Sequence, residues 1–427
     1  MSYREILREL DGDKLRIEKG AMHVDLIRTS MGLLRVGSMP DISKSMARFG
    51  LREVAVIVSE WTVSQAGDNY TGEEFVLWHA QVYGSPKRNY IGNPENIGIV
   101  YRNLDAIFSY YFDKKRIKVI RKDWLNQWIE KIPVEASYEL DLLKILFKHG
   151  NIMIFDEGRE VYNLKELLPS NNADDLVEEV SATVSRDPFP RDDLEIMVVG
   201  SGNGFSETTS SFLVRFGSRV LWVDPCPQPA YSLAKIGVHW DDVTEIFITH
   251  NHEDHILGFT ACLKRKIDRK ERLKLITARG IYQALKKQFS PLFPEMDNWI
   301  DLMEIAPGRV FDLDGMRISS RWNHHFLPYG TLGIKINAGD RTWGLSGDTK
   351  FDTSINRILK RADLTESWFS DCDLVFHEVS FDNSEGVHTY WKEVDKIRRV
   401  IPGELFVYHT YNKDSPPILI AQEGKTY

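Results

Sequence analysis

The absences in this chain narrow its class quickly. It has 3 cysteines in 427 residues, Cys226, Cys262 and Cys372. Scattered and odd in number, they make no disulfide framework, and a reducing cytoplasm fits. No run approaches the roughly 18 uninterrupted apolar residues of a membrane-spanning helix, so no membrane association is expected. The start, "MSYREILREL", has no secretory pattern. Net positive charge is missing too. The formal charge is −8, which argues against a broad, sequence-independent grip on nucleic acid. What remains is ordinary for a globular protein: 42% hydrophobic, 27% charged and 11% aromatic. At this length two domains are the default.

Polarity rises over 168–193, "LPSNNADDLVEEVSATVSRDPFPRDD", which prolines 169, 188 and 190 punctuate. This predicts an N-terminal α+β accessory domain over 1–168, a linker over 169–193 with one short helix near 173–184, and a second domain over 194–427. Downstream, β and α patterns alternate. "LEIMVVGSG", "RVLWVDP", "VTEIFITH", "RLKLITA", "MRISSRWN", "TLGIKINA", "RTWGLSGD" and "ELFVYHT" read as strands. "PAYSLAKIG", "GIYQALKKQF" and "VHTYWKEVDKIRRV" read as helices. Such alternation predicts a layered α/β domain with its sites on loops at strand ends.

In the first half, "AMHVDLIRTSMGLLRVGS" reads as a strand pair and "EVAVIVSEW" as a strand. "NPENIGIVYRNLDAIFSYYF" is a helix capped by Asn93 with Pro94 in its first turn, and "KVIRKDWLNQWIEKI" reads as a second helix. Residues 26–50 lie without gaps on 213–237, with eight of 25 positions identical, Pro40/Pro227, Ser45/Ser232, Ala47/Ala234 and Gly50/Gly237 among them. With three residues fewer in the next loop, "AVIVSEW" falls on "EIFITHN", and Glu60 stands opposite His250. A degenerate repeat without metal ligands would predict a small sheet flanked by helices here. The aromatic-rich "EEFVLWHAQVYGSPKRNY" would then pack on the second domain or a second subunit, as in a homodimer.

The densest chemical signal is His250-Asn-His252-Glu-Asp254-His255, three histidines and two acids in six positions at the end of a strand. Imidazoles and carboxylates on so tight a turn can face two adjacent centres and suit zinc, iron or manganese. Further ligand types follow in order: His324 and His325 in "WNHHFLP", Asp348 in "GLSGDT", placed to bridge two cations, and His409 in "FVYHTY".

From about 194 to 412 the chain resembles the metallo-β-lactamase superfamily. Within it the chain is most similar to the phosphodiesterase branch that includes ribonuclease Z. "IFITHNHEDHILGF", "SGDT", the "HE" of "VFHEVSF", the "VHT" of "GVHTYWKEV" and "VYHTY" carry the likeness. It implies an α/β fold, an αββα sandwich with two divalent metals, zinc first and iron or manganese as alternatives. His250, His252 and a third histidine would hold one metal, His325 being preferred to His324. Asp254, His255 and His409 would hold the other, with Asp348 shared. The "HE" glutamate orients the "HT" histidine in that branch, here Glu378 and His388.

The expected chemistry is hydrolysis of a small or cyclic nucleotide-type phosphodiester. Two cations lower the pKa of a shared water towards about 7, Asp254 orients that water, and His388 serves the leaving oxygen. Ribonuclease Z relatives carry a long Gly- and Pro-rich arm to grip tRNA, whereas 256–323 reads as plain helices and strands, so a tRNA partner is not expected. Alternatives on the same site are hydrolysis of another ester, thioester or lactone, and a diiron oxygen or metal sensor.

Overall fold

A computed structural model of the chain describes residues 14–19, 22–37, 50–58, 87–111, 124–167, 180–184, 191–203, 209–290, 292–325, 330–361, 364–381, 386–410 and 418–427, together with 46 and 178. The chain divides into two compact units, residues 1–180 with 287–294, and residues 181–286 with 295–427. Among the described residues no helix is long and apolar enough to cross a membrane.

The second unit holds two six-stranded sheets. The first runs β11 (Arg191–Gly200), β12 (Ser211–Gly217), β13 (Arg219–Val223), β14 (Glu245–Phe247), β15 (Leu273–Thr277) and β16 (Ile300–Glu304) in spatial order. β11 to β13 are antiparallel, and β13 to β16 are parallel. The second sheet runs β17 (Val310–Leu313), β18 (Met316–Trp322), β19 (Leu332–Ala338), β20 (Arg341–Leu345), β21 (Leu374–Glu378) and β22 (Glu404–Tyr408). β17 to β20 form an antiparallel meander, and β20 to β22 are parallel.

Of the parallel strands, β13, β21 and β22 are near-continuous buried runs because both their faces are covered. Between the sheets, the Phe212 ring of β12 meets Trp343, Phe376 and Tyr408 at 5.9, 5.4 and 5.1 Å. Outside the second sheet, Val375, Leu405 and Val407 pack with Phe369, Val394 and Ile397 from short helical turns. The helix Phe259–Asp268 buries Phe259, Cys262 and Leu263 on its inner face. This is the αββα sandwich of the metallo-β-lactamase fold.

The first unit follows the same strand plan. β1 (Lys14–Lys19), β2 (Met22–Thr29), β3 (Gly32–Val36), β4 (Glu53–Val58), β5 (Arg88–Gly92) and β6 (Ile129–Pro133) form a sheet in that order, antiparallel to β3 and parallel beyond it. β7 (Ser137–Leu140), β8 (Leu143–Lys148), β9 (Asn151–Asp156) and β10 (Arg159–Asn163) form an antiparallel meander. Ile27, Leu34, Ile57 and Ile91 point inward onto Ile145, Ile152 and Ile154 of the meander. The alternate residues Val56, Val58 and Tyr90 pack on Ile97 and Val100 of the helix Pro94–Tyr111.

Ladder registers of the two units coincide under the sequence match. Leu26↔Arg35 and Ile27↔Leu34 correspond to Leu213↔Trp222 and Val214↔Leu221. Val36↔Ile57 corresponds to Val223↔Phe247. Gly37 and Asp224 stand at equivalent corners, both left-handed (φ 81° and 49°). Their N–H groups donate to Ile57 O and Phe247 O. The plan thus extends past the matched segment into a second sheet, so the expected small sheet flanked by helices is corrected to two packed sheets. Glu60, Trp61 and 73–86 of the aromatic stretch lie outside the described residues.

Two helix readings are also corrected. Of "KVIRKDWLNQWIEKI", residues 118–123 lie outside the described residues. The rest is a 3-10 turn, Trp124–Gln127, followed by β6. The open edge of β5 gives Ile129–Pro133 a full parallel ladder, which outweighs the helical spacing of its apolar residues. "VHTYWKEVDKIRRV" is helical only from Trp391, as a 3-10 turn and the single turn Asp395–Arg398. Its first residues are taken up by strand-like contacts, Ser380 N–H donating to Thr389 O and Trp391 N–H to Ser380 O.

Candidate metal centre

Every candidate ligand sits just beyond the carboxyl end of a strand. β14 stops at Phe247 and the chain turns into the one-turn helix Glu253–Ile256, with His252 at its N-cap. Asp254 and His255 therefore fall in the same first turn, close behind His250. After β20, Ser346-Gly347 leads to Asp348. Gly347 is required there, because its φ is 58° and a Cβ would lie 2.1 Å from Leu332 O. β18 leads to His325, and β22 leads directly to His409.

The side chains gather into two donor groups. His250, His252, His325 and Asp348 offer atoms within 4.8 Å of one another, as do Asp254, His255 and His409. His252 Nδ1 lies 3.0 Å from His250 Nε2 and 3.1 Å from His325 Nε2. With metal–nitrogen bonds of about 2.0–2.1 Å, nitrogens of a tetrahedral site stand roughly 3.3 Å apart, so the convergence fits a cation. Asp348 faces both groups. Its Oδ2 is 3.6 Å from His325 Nε2 and 3.3 Å from His409 Nε2, and its Oδ1 is 3.4 Å from His255 Nε2. His255 Nε2 and Asp348 Oδ1 are buried and make no well-formed hydrogen bond among the described residues. Buried polar atoms of that kind call for a partner, and a cation supplies one.

The electrostatics agree. Burial, reinforced by neighbouring imidazoles, holds His250 and His252 well below the ordinary histidine range, so their lone pairs are available. Burial likewise brings His325 down to about 4. His255 is the exception: burial opposes its charge, but Asp348, Asp254 and Asp224 outweigh it and raise it well above 6.5. Burial would push the Asp348 carboxyl up, yet His409, His255 and His250 hold it well below the usual range. A cation would take over the compensation that protonated His255 provides.

Glu378 and His388 meet beside these groups. Glu378, fully buried, accepts from Thr349 N–H (3.0 Å) and Thr389 N–H (3.1 Å) on Oε1 and faces His388 Nδ1 with Oε2 (3.2 Å). The His388 ring lies 4.9 Å from that of His409 and 5.1 Å from that of His325. His388 also forms a third close group with Asp348 and His409. His324 joins none of the donor groups among the described residues.

Asp224 escaped the sequence reading. At the corner after β13 it accepts from Thr249 N–H (2.8 Å) and Thr249 Oγ1 (2.6 Å), and from His255 Nδ1 (2.8 Å). Its signal was available: an acid closing a buried strand that runs parallel to the histidine-bearing one.

Sheet order, layer packing and the donor groups at the carboxyl ends of the strands define a metallo-β-lactamase-fold protein. Within that class, the profile of the family described as Anti-Pycsar protein Apyc1 matches residues 194–426, and the chain belongs to this family. Among curated proteins it is similar to a cGMP-dependent 3',5'-cGMP phosphodiesterase A of Dictyostelium discoideum, 23% identical over 345 residues, which is 76% of this chain and 37% of that protein. It is also similar to a ribonuclease Z of Treponema denticola, 28% identical over 142 residues, 32% of this chain and 46% of that one. The chain thus spans less than half the length of either relative. Among solved structures, the metallo-β-lactamase fold protein YhfI of Bacillus subtilis aligns at 19% identity with a TM-score of 0.45, covering 55% of this chain and 98% of that one.

Proposed function

We propose that the chain is a binuclear-metal-dependent hydrolase whose substrate is a small phosphodiester of the cyclic nucleotide type. One observation carries this reading. A histidine anchored by a buried glutamate, His388 on Glu378, stands beside two donor groups that share Asp348. His250, His252 and His325 would hold one cation and Asp254, His255 and His409 the other, with Asp348 common to both. The donors are nitrogen and carboxylate without thiolate, a set that suits zinc and admits iron or manganese. Two divalent cations, when bound, acidify a water and neutralise phosphoryl charge.

This chain's own residues then supply the rest. With Nδ1 directed to Glu378, the His388 ring offers Nε2 to the departing oxygen, and the glutamate stabilises the protonated ring. Asp254, whose Oδ2 lies 3.2 Å from His409 Nε2, would orient the attacking water. The likeness to a cyclic-nucleotide phosphodiesterase supports the substrate class. Between the one-turn helix Glu253–Ile256 and His325, the described residues form helices and strands without a long arm, which favours a small substrate over tRNA.

The test is metal analysis of the purified chain combined with hydrolysis of p-nitrophenyl phosphodiesters and 3',5'-cyclic nucleotides. Two metals per chain with turnover of a cyclic nucleotide is the expected result. Turnover of carboxylic esters or lactones alone would move the chain to the other hydrolase reading. A coloured diiron protein without hydrolysis would make it a sensor.

A further inference from the structure

The first unit keeps a cavity where the second unit keeps its donor groups. In the second unit those groups follow β14, β18, β20 and β22, His325 lying in the β18–β19 loop. The first-unit counterparts of β14 and of that loop are the end of β4 and the β8–β9 turn, and the end of β5 lies beside them, Val58 pairing with Gly92. These same elements surround a cavity of about 140 Å³, lined among others by Val58, Asn93, Asn96, Phe147, Lys148 and His149. The equivalence extends to single hydrogen bonds: Val134 N–H donates to Gly92 O as Ile305 N–H does to Thr277 O. The lining offers the Asn93 and Asn96 amides, Lys148 and a single imidazole, His149, so the chemistry offered is that of an anion site and not of a cation site.

Two independent features point to the ligand. Asn93 caps the 18-residue helix Pro94–Tyr111, its Oδ1 accepting from Glu95 N–H at 2.8 Å, so the positive end of the helix dipole opens here. Asn96, on the first turn, is only 8% exposed, and its Nδ2 has no acceptor among the described residues. A buried donor left unpaired is costly, and a ligand oxygen removes that cost. Lys148 and His149 line the cavity from the exposed β8–β9 turn. Glu135 also contributes to the lining, but it is exposed, and its charge is screened by solvent. The volume, about 140 Å³, is well below the roughly 300–1,000 Å³ of drug-sized ligand pockets and suits a small ion better than a whole nucleotide.

We infer that the first unit binds a small phosphate-type oxyanion between the amino end of Pro94–Tyr111, the Asn96 amide and the Lys148–Gly150 turn. The anion is inorganic phosphate or the phosphate of a small ester such as glycerol phosphate.

Hydrogen exchange on the full-length, metal-loaded chain tests this, because it separates this site from phosphate held at the metal centre. Millimolar inorganic phosphate should slow exchange in peptides covering 93–101 and 146–152. Protection by glycerol phosphate at lower concentration would identify the ester as the source, and protection by phosphate alone would identify the free ion. Asn96→Asp places a carboxylate against the anion at a helix position that welcomes an acid, so the fold survives. It should raise the half-protection concentration by at least about tenfold, or about 1.4 kcal/mol. Lys148→Gln should raise it less, and neither variant should change hydrolysis at the metal centre. Absence of protection in the parent chain, equal protection in Asn96→Asp, or equal protection by chloride at matched ionic strength would each overturn the site.

Discussion

Asp224 accepts a hydrogen bond from Nδ1 of His255 at 2.8 Å and, through the same oxygen, one from Thr249 Oγ1 at 2.6 Å. One carboxylate therefore fixes the ring plane of a candidate ligand and the first residue of the histidine turn. Burial pushes the Asp224 carboxyl above its usual range, with the His255 contact and the Thr249 bonds pulling it back. Replacing such a partner typically lowers metal affinity by about 10–100-fold. Asp224→Asn should show that loss in a chelator competition while leaving the fold intact. Unchanged affinity would remove Asp224 from the metal machinery.

Asp348 is the residue that faces both donor groups. Asp348→Ala should leave neither site well occupied, because each loses a ligand and the two cations lose the anion between them. Inductively coupled plasma analysis of the variant reads this directly. Near-normal content of two metals would show that Asp348 is not shared.

For His388 the expected signature is kinetic. His388→Ala should retain its metals, lower kcat by roughly 10²–10⁴-fold on substrates with poor leaving groups, and spare those with good ones. An equal loss on both would leave phosphate positioning as its role.

Gly347 makes a stability prediction. Gly347→Ala combines a left-handed backbone with a Cβ 2.1 Å from Leu332 O. Strain and overpacking together put its cost on the order of 3 kcal/mol. Urea unfolding of the chelated protein measures this apart from any loss of metal. A variant as stable as the parent would mean that the Asp348 loop relaxes freely.

The three thiols are buried, and burial together with Asp371 pushes Cys372 up to about 12. Native protein should therefore resist a thiol reagent that titrates all 3 in denaturant. Rapid labelling of any one would reveal local opening on the assay timescale.

Much of the second unit was legible in the sequence because its candidate ligands lie close together or end apolar runs. His250 to His255 share one turn, and Asp348 and His409 each close a strand. His325 was preferred to His324 only through the resemblance, since adjacent residues share the same sequence signal, and it is His325 that joins a donor group. Asp224 stayed hidden because its partner, His255, is 31 positions away and reaches it only once β13 and β14 pair. β6 was misread because Trp124, Leu125, Trp128, Ile129 and Ile132 are spaced as on a helix, and only the exposed edge of β5 decides otherwise. The 387–390 segment has helical spacing as well, but Glu378 and Ser380 claim its backbone. In the first unit, the match of 26–50 to 213–237 located the shared ladder registers but could not show how far the plan continued.

The shared corner at Gly37 and Asp224 has a consequence for how such a fold changes function. In both units the corner N–H bonds the neighbouring strand, to Ile57 O and to Phe247 O, so the bend is kept at Gly37 without a carboxylate. An Asp placed at Gly37 would have no His255 to orient, and a histidine placed nearby without it would have no anchor. Activity built this way is easy to lose by single changes and hard to regain by them. A unit that keeps the strands and the corner without the carboxylate remains a sound frame for another ligand.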